Sequence, residues 1–175
     1  LNKLGGYVER HIQKYIEEGL QDVGVVVSNQ QGGQDLILSK DGFEDYHIEI
    51  KSRWSSRESV KMTREQLKCA VRIPERYALI GVNMYHMDKS RAENDDDLLL
   101  SEIHDHIHGR YNIGVLEKDI NDRADEAFED NDNDIRLSGD YKVRVPQKVF
   151  SDNPLSFNSF LEKLKERFTM VPDTI

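Results

Sequence analysis

The sequence predicts an α/β fold, a mixed β-sheet flanked by helices, and three observations lead to the sheet and its helices. A helical repeat of apolar residues opens the chain. Three short β-rich runs joined by glycine-containing turns follow, and a second helical stretch separates the third run from a fourth. Strands joined by tight turns pair antiparallel, whereas a helix between two strands is a crossover that lets them pair parallel, so the succession implies a mixed sheet.

Each element has its own signal. Over residues 4–18, Leu4, Val8, Ile12, Tyr15 and Ile16 recur at helical spacing, and Gly19 is placed to end the helix. Residues 22–28 (DVGVVVS) read as a strand buried on both faces, followed by a turn at NQQGG. Residues 34–39 (QDLILS) and 46–53 (YHIEIKSR) read as the next two strands, joined by a hairpin around Asp41-Gly42. In the latter strand Ile48 and Ile50 point one way, and His47, Glu49 and Lys51 the other. Residues 63–72 (TREQLKCAVR) are helical, with Thr63 as N-cap and Gln66 at the capping-box position, and Pro74 stops them. Residues 77–84 (YALIGVNM) supply the fourth strand, giving the core order α-β-β-β-α-β.

The second half is less regular. Residues 88–134 hold two acidic runs, an apolar island at 98–100 and a histidine cluster, and are expected to be a partly mobile elaboration, with a strand at 111–116. Residues 141–150 (YKVRVPQKVF) alternate and contain Pro146, as an edge strand does. Residues 157–168 form an amphipathic helix with Phe157, Phe160, Leu161, Leu164 and Phe168 on one face.

A chain of 175 residues is long enough for one domain with its own core, and residues 1–175 are read as a single domain. Its start at Leu1 rather than methionine points to a fragment of something longer or a trimmed tag. One cysteine, Cys69, rules out an internal disulfide and fits a reducing, cytoplasmic setting, and its place in a helical pattern suits packing. No apolar run approaches the roughly 20 residues of a membrane helix, and no signal peptide is visible. The net charge of −9 is unevenly spread. Residues 93–134 contain 15 acidic and 3 basic side chains, whereas residues 51–76 contain 8 basic and 3 acidic ones. That cationic stretch suits either a phosphate-binding face or a solvated helix face of mixed charge.

Asp35 begins one strand, and Glu49 and Lys51 share a face of the next. A hairpin brings the two acids toward one point, where oxygen ligands suit a hard cation such as Mg²⁺. Phosphodiester hydrolysis needs an activated water and a sink for charge on the phosphate. A metal and an adjacent lysine supply both. An isolated Glu-X-Lys is also what an ordinary salt-bridged strand face looks like, although surface pairs contribute little to stability.

The run GGQD, a short strand and then YHIEIKSRW resembles the signature of the PD-(D/E)XK nuclease superfamily over residues 4–84, with Gln34 in place of the proline. Within it, GGYVE, DLIL, IEIKSRW and MTREQLKCAVRIPERYALIGV look most like the C-terminal domain of NO VEIN-type proteins, which occurs attached to helicases, ATPases and restriction-like systems. The resemblance implies a restriction-endonuclease-like α/β fold and a Mg²⁺-dependent deoxyribonuclease, more an endonuclease than an exonuclease, with Mn²⁺ as a substitute metal. Asp35, Glu49 and Glu9 would hold the metal, Lys51 would handle the attacking water, and Gln66 would orient groups from the second helix. Arg53, Trp54, Arg57, Lys61, Arg64 and Lys68 would contact nucleic acid, although Trp54 is equally suited to closing the end of the core. The expected partners are DNA ahead of RNA, other domains of a longer chain such as an ATPase or helicase, and a second copy of the chain.

Two other classes compete. A nuclease-like fold can serve as a non-cleaving DNA-binding or assembly module, with the acidic segment occupying the basic groove. His104, His106 and His108 would share one face of a strand and form a Zn²⁺ site, but on a helix they would not converge.

Overall fold

The computed structural model describes residues 3–29, 36–116, 118, 122, 142–151 and 155–170. In chain order the elements are α1 (Lys3–Leu20), β1 (Val26–Asn29), β2 (Leu36–Ser39), β3 (Tyr46–Arg53), β4 (Val60–Thr63), α2 (Arg64–Arg72) and β5 (Tyr77–Asn83). There follow α3 (Lys89–Glu93), α4 (Leu100–Ile103), β6 (Ile107–Arg110), β7 (Lys142–Val145), α5 (Lys148–Ser151) and α6 (Phe157–Thr169). A five-stranded sheet runs in the order β1-β2-β3-β5-β6, and β4 pairs with β7 in a separate two-stranded ribbon. The β3–β5 pair is parallel and the other pairs are antiparallel, which is the mixed α/β sheet expected.

The sheet separates two apolar clusters. On one face Ile48, Ile80 and Val82 pack beneath α1 and α6, and on the other Tyr77 and Leu79 pack with α2, the β4–β7 ribbon and Phe150. The periodicity that predicted α1 is realised as a buried stripe of Tyr7, Val8, Ile12, Tyr15, Ile16 and Leu20. Each large aliphatic side chain so buried contributes about 1.5–3 kcal/mol. The stripe read in α6 is likewise buried throughout.

Several expectations change. Helix α1 runs past Gly19, because that glycine serves close packing: a Cβ there would stand 2.8 Å from Leu161 Cδ1 on α6. The left-handed turn falls instead at Gly24, with φ 71°, after a short 3-10 turn. Strand β1 is not buried on both faces but lies at the sheet edge, where Val26 is 66% exposed. The core order gains β4 between β3 and α2.

The expected acidic elaboration also begins as integral structure. Leu98 is buried; its carbonyl accepts the Tyr15 hydroxyl, and its N–H donates to His11 Nε2 at 3.3 Å. Burial pushes the Tyr15 phenol up to about 12. The fifth strand of the sheet is 107–110, not 111–116, where the chain turns and then becomes helical. Most of 117–141, including the second acidic run, lies outside the described residues.

Candidate functional site

The site begins with register. Strand β3 pairs with β5 so that Glu49 lies opposite Leu79 and Lys51 opposite Gly81. Alternation therefore sends Ile48 and Ile80 under α1 and turns Glu49 and Lys51 to the face covered by α2. Gly81 leaves space beside Lys51 that the ring of Phe150 occupies, 3.1 Å from where a Cβ would stand. The lysine stem thus lies along a partly apolar wall.

Glu49 is only 4% exposed, so its carboxylate has given up most of its water and needs donors. Lys51 Nζ and Gln66 Nε2 supply them, both at Oε1. Gln66 is in turn fixed by the helix start. Its Oε1 accepts the Thr63 N–H at 2.8 Å while Thr63 Oγ1 accepts the Gln66 N–H at 3.3 Å. That reciprocal capping box commits the amide oxygen to the backbone and leaves the NH₂ group to face Glu49. One residue thereby ties the start of α2 to the charged face of β3.

The other expected residues are placed differently. Asp35 lies outside the described residues; Leu36, immediately after it, pairs with Ile48, immediately before Glu49. Glu9 projects from α1, in the layer on the opposite side of the sheet, and accepts a hydrogen bond from Asn29 Nδ2 at 2.9 Å. Asn29 is two strands from β3, about 10 Å at the usual spacing. Glu9 is thus hydrogen-bonded to β1 rather than to Glu49, Lys51 or Gln66. Among the described residues no group of three or more His, Cys, Asp or Glu side chains is arranged to hold a metal ion.

Of the two roles expected for Trp54, the structure favours closing the core. The side chain is buried against Tyr7, with ring centroids 6.5 Å apart, and Nε1 donates to Ser52 Oγ at 3.2 Å. Its ring is not presented for stacking on a base. Arg53 donates to Gln147 Oε1 at 2.6 Å and to the Ser56 carbonyl at 3.0 Å, which joins the end of β3 to the segment after β7. Arg57 and Lys61 are exposed, while Arg64 and Lys68 are half-buried on α2.

The histidines do not form the strand-borne trio considered above. His104 and His106 lie in a 3-10 turn and only His108 lies in β6. His104 Nδ1 bonds the Ser101 carbonyl, whereas the His106 ring stacks on His86 at 3.8 Å. Burial lowers the His108 pKa, and burial followed by the neighbouring His86 lowers that of His106, so both favour the neutral ring.

Cys69 is half-buried and packs against the α2-side cluster, as its place in the helical pattern suggested. No described helix is long and apolar enough to cross a membrane. The cations contributed by β7 were not recognised from sequence. Its alternation was readable, but its partner strand lies some 80 residues earlier.

These features define a mixed α/β domain in which a central strand carries a buried carboxylate, held between a lysine and a helix-capping glutamine. Residues 7–94, half of the chain, match the family described as Protein NO VEIN, C-terminal, and the chain belongs to that family. The matched stretch contains Glu49, Lys51 and Gln66 and stops before β6, β7 and α6. No curated protein and no solved structure matches the chain.

Proposed function

We propose that this domain is a divalent-metal-dependent nuclease of the PD-(D/E)XK type that hydrolyses DNA phosphodiester bonds, within a restriction, defence or DNA-processing protein. The observation that carries the reading is the buried Glu49, whose Oε1 meets both Lys51 and Gln66. A structural strand face gains little from an acid in that position, because an apolar side chain fills it without desolvating a charge. A hydrolytic site needs a fixed hard-oxygen donor beside a cation, which is what Glu49 and Lys51 provide.

In this reading Glu49 and Asp35 are the metal ligands, with Asp35 assigned from its place one residue before Leu36. The oxygen chemistry of the pair suits Mg²⁺ or Mn²⁺. Bound there, the ion would polarise the phosphate and make its water more acidic. Lys51 positions the attacking water and offsets charge on the phosphate. Gln66 holds the Glu49 carboxylate in one orientation. Glu9, bonded to Asn29, is left out of the ligand set.

The test is cleavage of supercoiled plasmid and linear DNA in Mg²⁺ or Mn²⁺, with EDTA alongside. Nicking or cutting that EDTA abolishes and fresh metal restores is the expected result. No cleavage of any DNA form with either ion, by a folded protein, contradicts the reading. It would favour a non-cleaving DNA-binding module instead, a role supported by the excess of basic residues between positions 51 and 76.

A further inference from the structure

The β4–β7 ribbon has two unlike faces. Val60, Met62 and Val145 are buried in the α2-side cluster, while Lys61, Thr63, Lys142 and Arg144 are exposed. The register places Lys61 directly opposite Arg144, and Thr63 opposite Lys142. Directly opposed side chains stand about 5 Å apart, and like charges in such a pair destabilise the ribbon. Among the described residues no carboxylate pairs with Lys61, Lys142 or Arg144. Among the described residues, a folded ribbon that keeps such a pair exposed presents a concentrated positive face without a paired counter-charge.

Both strands are tied to the candidate site. Strand β4 ends at Thr63, which caps α2 and bonds Gln66, the residue that holds Glu49. The segment just after β7 is held through Gln147 to Arg53 at the end of β3. An anion seated along the ribbon would therefore be held by a unit braced against the strand that carries Lys51.

We propose that the outer face of the β4–β7 ribbon binds the phosphate backbone of duplex DNA through Lys61, Lys142 and Arg144. The choice of DNA rests on the nuclease reading above. The geometry favours a duplex. Its two strands together present one charge per roughly 1.7 Å of axis, denser than a single strand, so a ribbon about 13 Å long with cations roughly 5–7 Å apart spans several phosphates at once. Lys61 lies within the family match, whereas the other two cations come from β7, beyond it.

The experiment is fluorescence anisotropy with a labelled duplex, performed in EDTA so that cleavage plays no part. The triple variant Lys61→Ala, Lys142→Ala, Arg144→Ala is compared with Lys3→Ala, Lys14→Ala, Lys163→Ala, which removes the same charge elsewhere. The ribbon variant is expected to bind at least tenfold more weakly at moderate salt. Its plot of log K against log salt should be shallower by about 2–3, as expected for the loss of three phosphate contacts. Its unfolding midpoint should be at or above that of the parent protein, because the opposed cations are gone. The control variant should stay within about twofold.

Equal loss in both variants, an unchanged salt slope in the ribbon variant, or tighter binding to single-stranded RNA than to duplex DNA would each overturn the proposal. The two readings fail separately. Ribbon-dependent binding without metal-dependent cleavage removes only the nuclease, whereas cleavage by a ribbon variant of unchanged affinity removes only the ribbon.

Discussion

The two faces of β3 share one backbone and differ in almost everything else. Tyr46 and Ile48 are fully buried beneath α1 and α6. One residue out of phase, the other face holds Glu49, buried nearly as deeply, and Lys51, whose side chain is 27% exposed. The first face is explained by the hydrophobic effect alone. The second places a carboxylate where desolvation is costly and restores its partners with an ammonium and an amide. Such an arrangement is a poor way to stabilise a sheet, which is the ground for proposing a hydrolytic role for this face.

The largest expected difference between the faces comes from Ile48→Ala. It should lower unfolding free energy by about 2–5 kcal/mol in denaturant titrations, through lost burial and a cavity. Removing both charges on the opposite face, with Glu49→Gln and Lys51→Met together, should do far less. Stability is expected within about 1 kcal/mol of the parent or above it, while metal-dependent cleavage disappears. A double variant that unfolds as readily as Ile48→Ala would show the charged face to be structural.

Gln66 sits between the two roles, and two substitutions separate them. Gln66→Ala removes both the capping bond and the donor to Glu49, and should cost about 1–2 kcal/mol. Gln66→Glu preserves the capping acceptor but sets a carboxylate against Glu49. One of the two acids should then have a raised pKa in the folded state, so the variant should come nearest the parent's stability below the ordinary carboxylate pKa and fall behind it as pH rises through the raised value. Unfolding curves for parent and variant at pH 4 and pH 8 would reveal the widening gap.

The smallest effect belongs to His108. Its pKa is lowered by burial, so the unfolded chain takes up a proton at a higher pH than the native state does. The stability this gives is complete above about 6.5 and declines as pH falls toward the lower native value. His108→Gln should make the melting temperature less sensitive to pH between 7 and 5, by about 1–3 °C. An unchanged pH slope would assign the acid sensitivity elsewhere.

How much could be read in the sequence follows the range of the interactions. The strand 46–53 was legible because its alternation is strict and its hairpin turn is marked by Gly42, which has φ 82°. The start of α2 was legible because Thr63 and Gln66 satisfy each other within three residues. Gly19 was misread because a glycine that ends a helix and one that lets another helix approach look alike locally; only Leu161, far along the chain, distinguishes them.

The same applies to strand β6. Its polar sequence gives no strand signal, and it enters the sheet because residues 79–82 offer an edge to pair with. Leu98 seemed an island in an acidic run until Tyr15, 83 residues away, supplied its partner. At the site, the Glu49–Lys51 pairing and the Gln66 bond to Glu49 follow from local register and capping. The separation of Glu9 from them depends on which layer α1 occupies, which the helical period alone does not decide.

The most direct measurement is plasmid cleavage in Mn²⁺ by Lys51→Ala, read beside its denaturant unfolding curve. The account predicts a cooperatively folded protein whose nicking is at least a hundredfold slower than that of the parent, the usual order for loss of a group acting on the attacking water. A folded Lys51→Ala protein that cuts at the parental rate would contradict it, and would place any phosphodiesterase activity away from the charged face of β3.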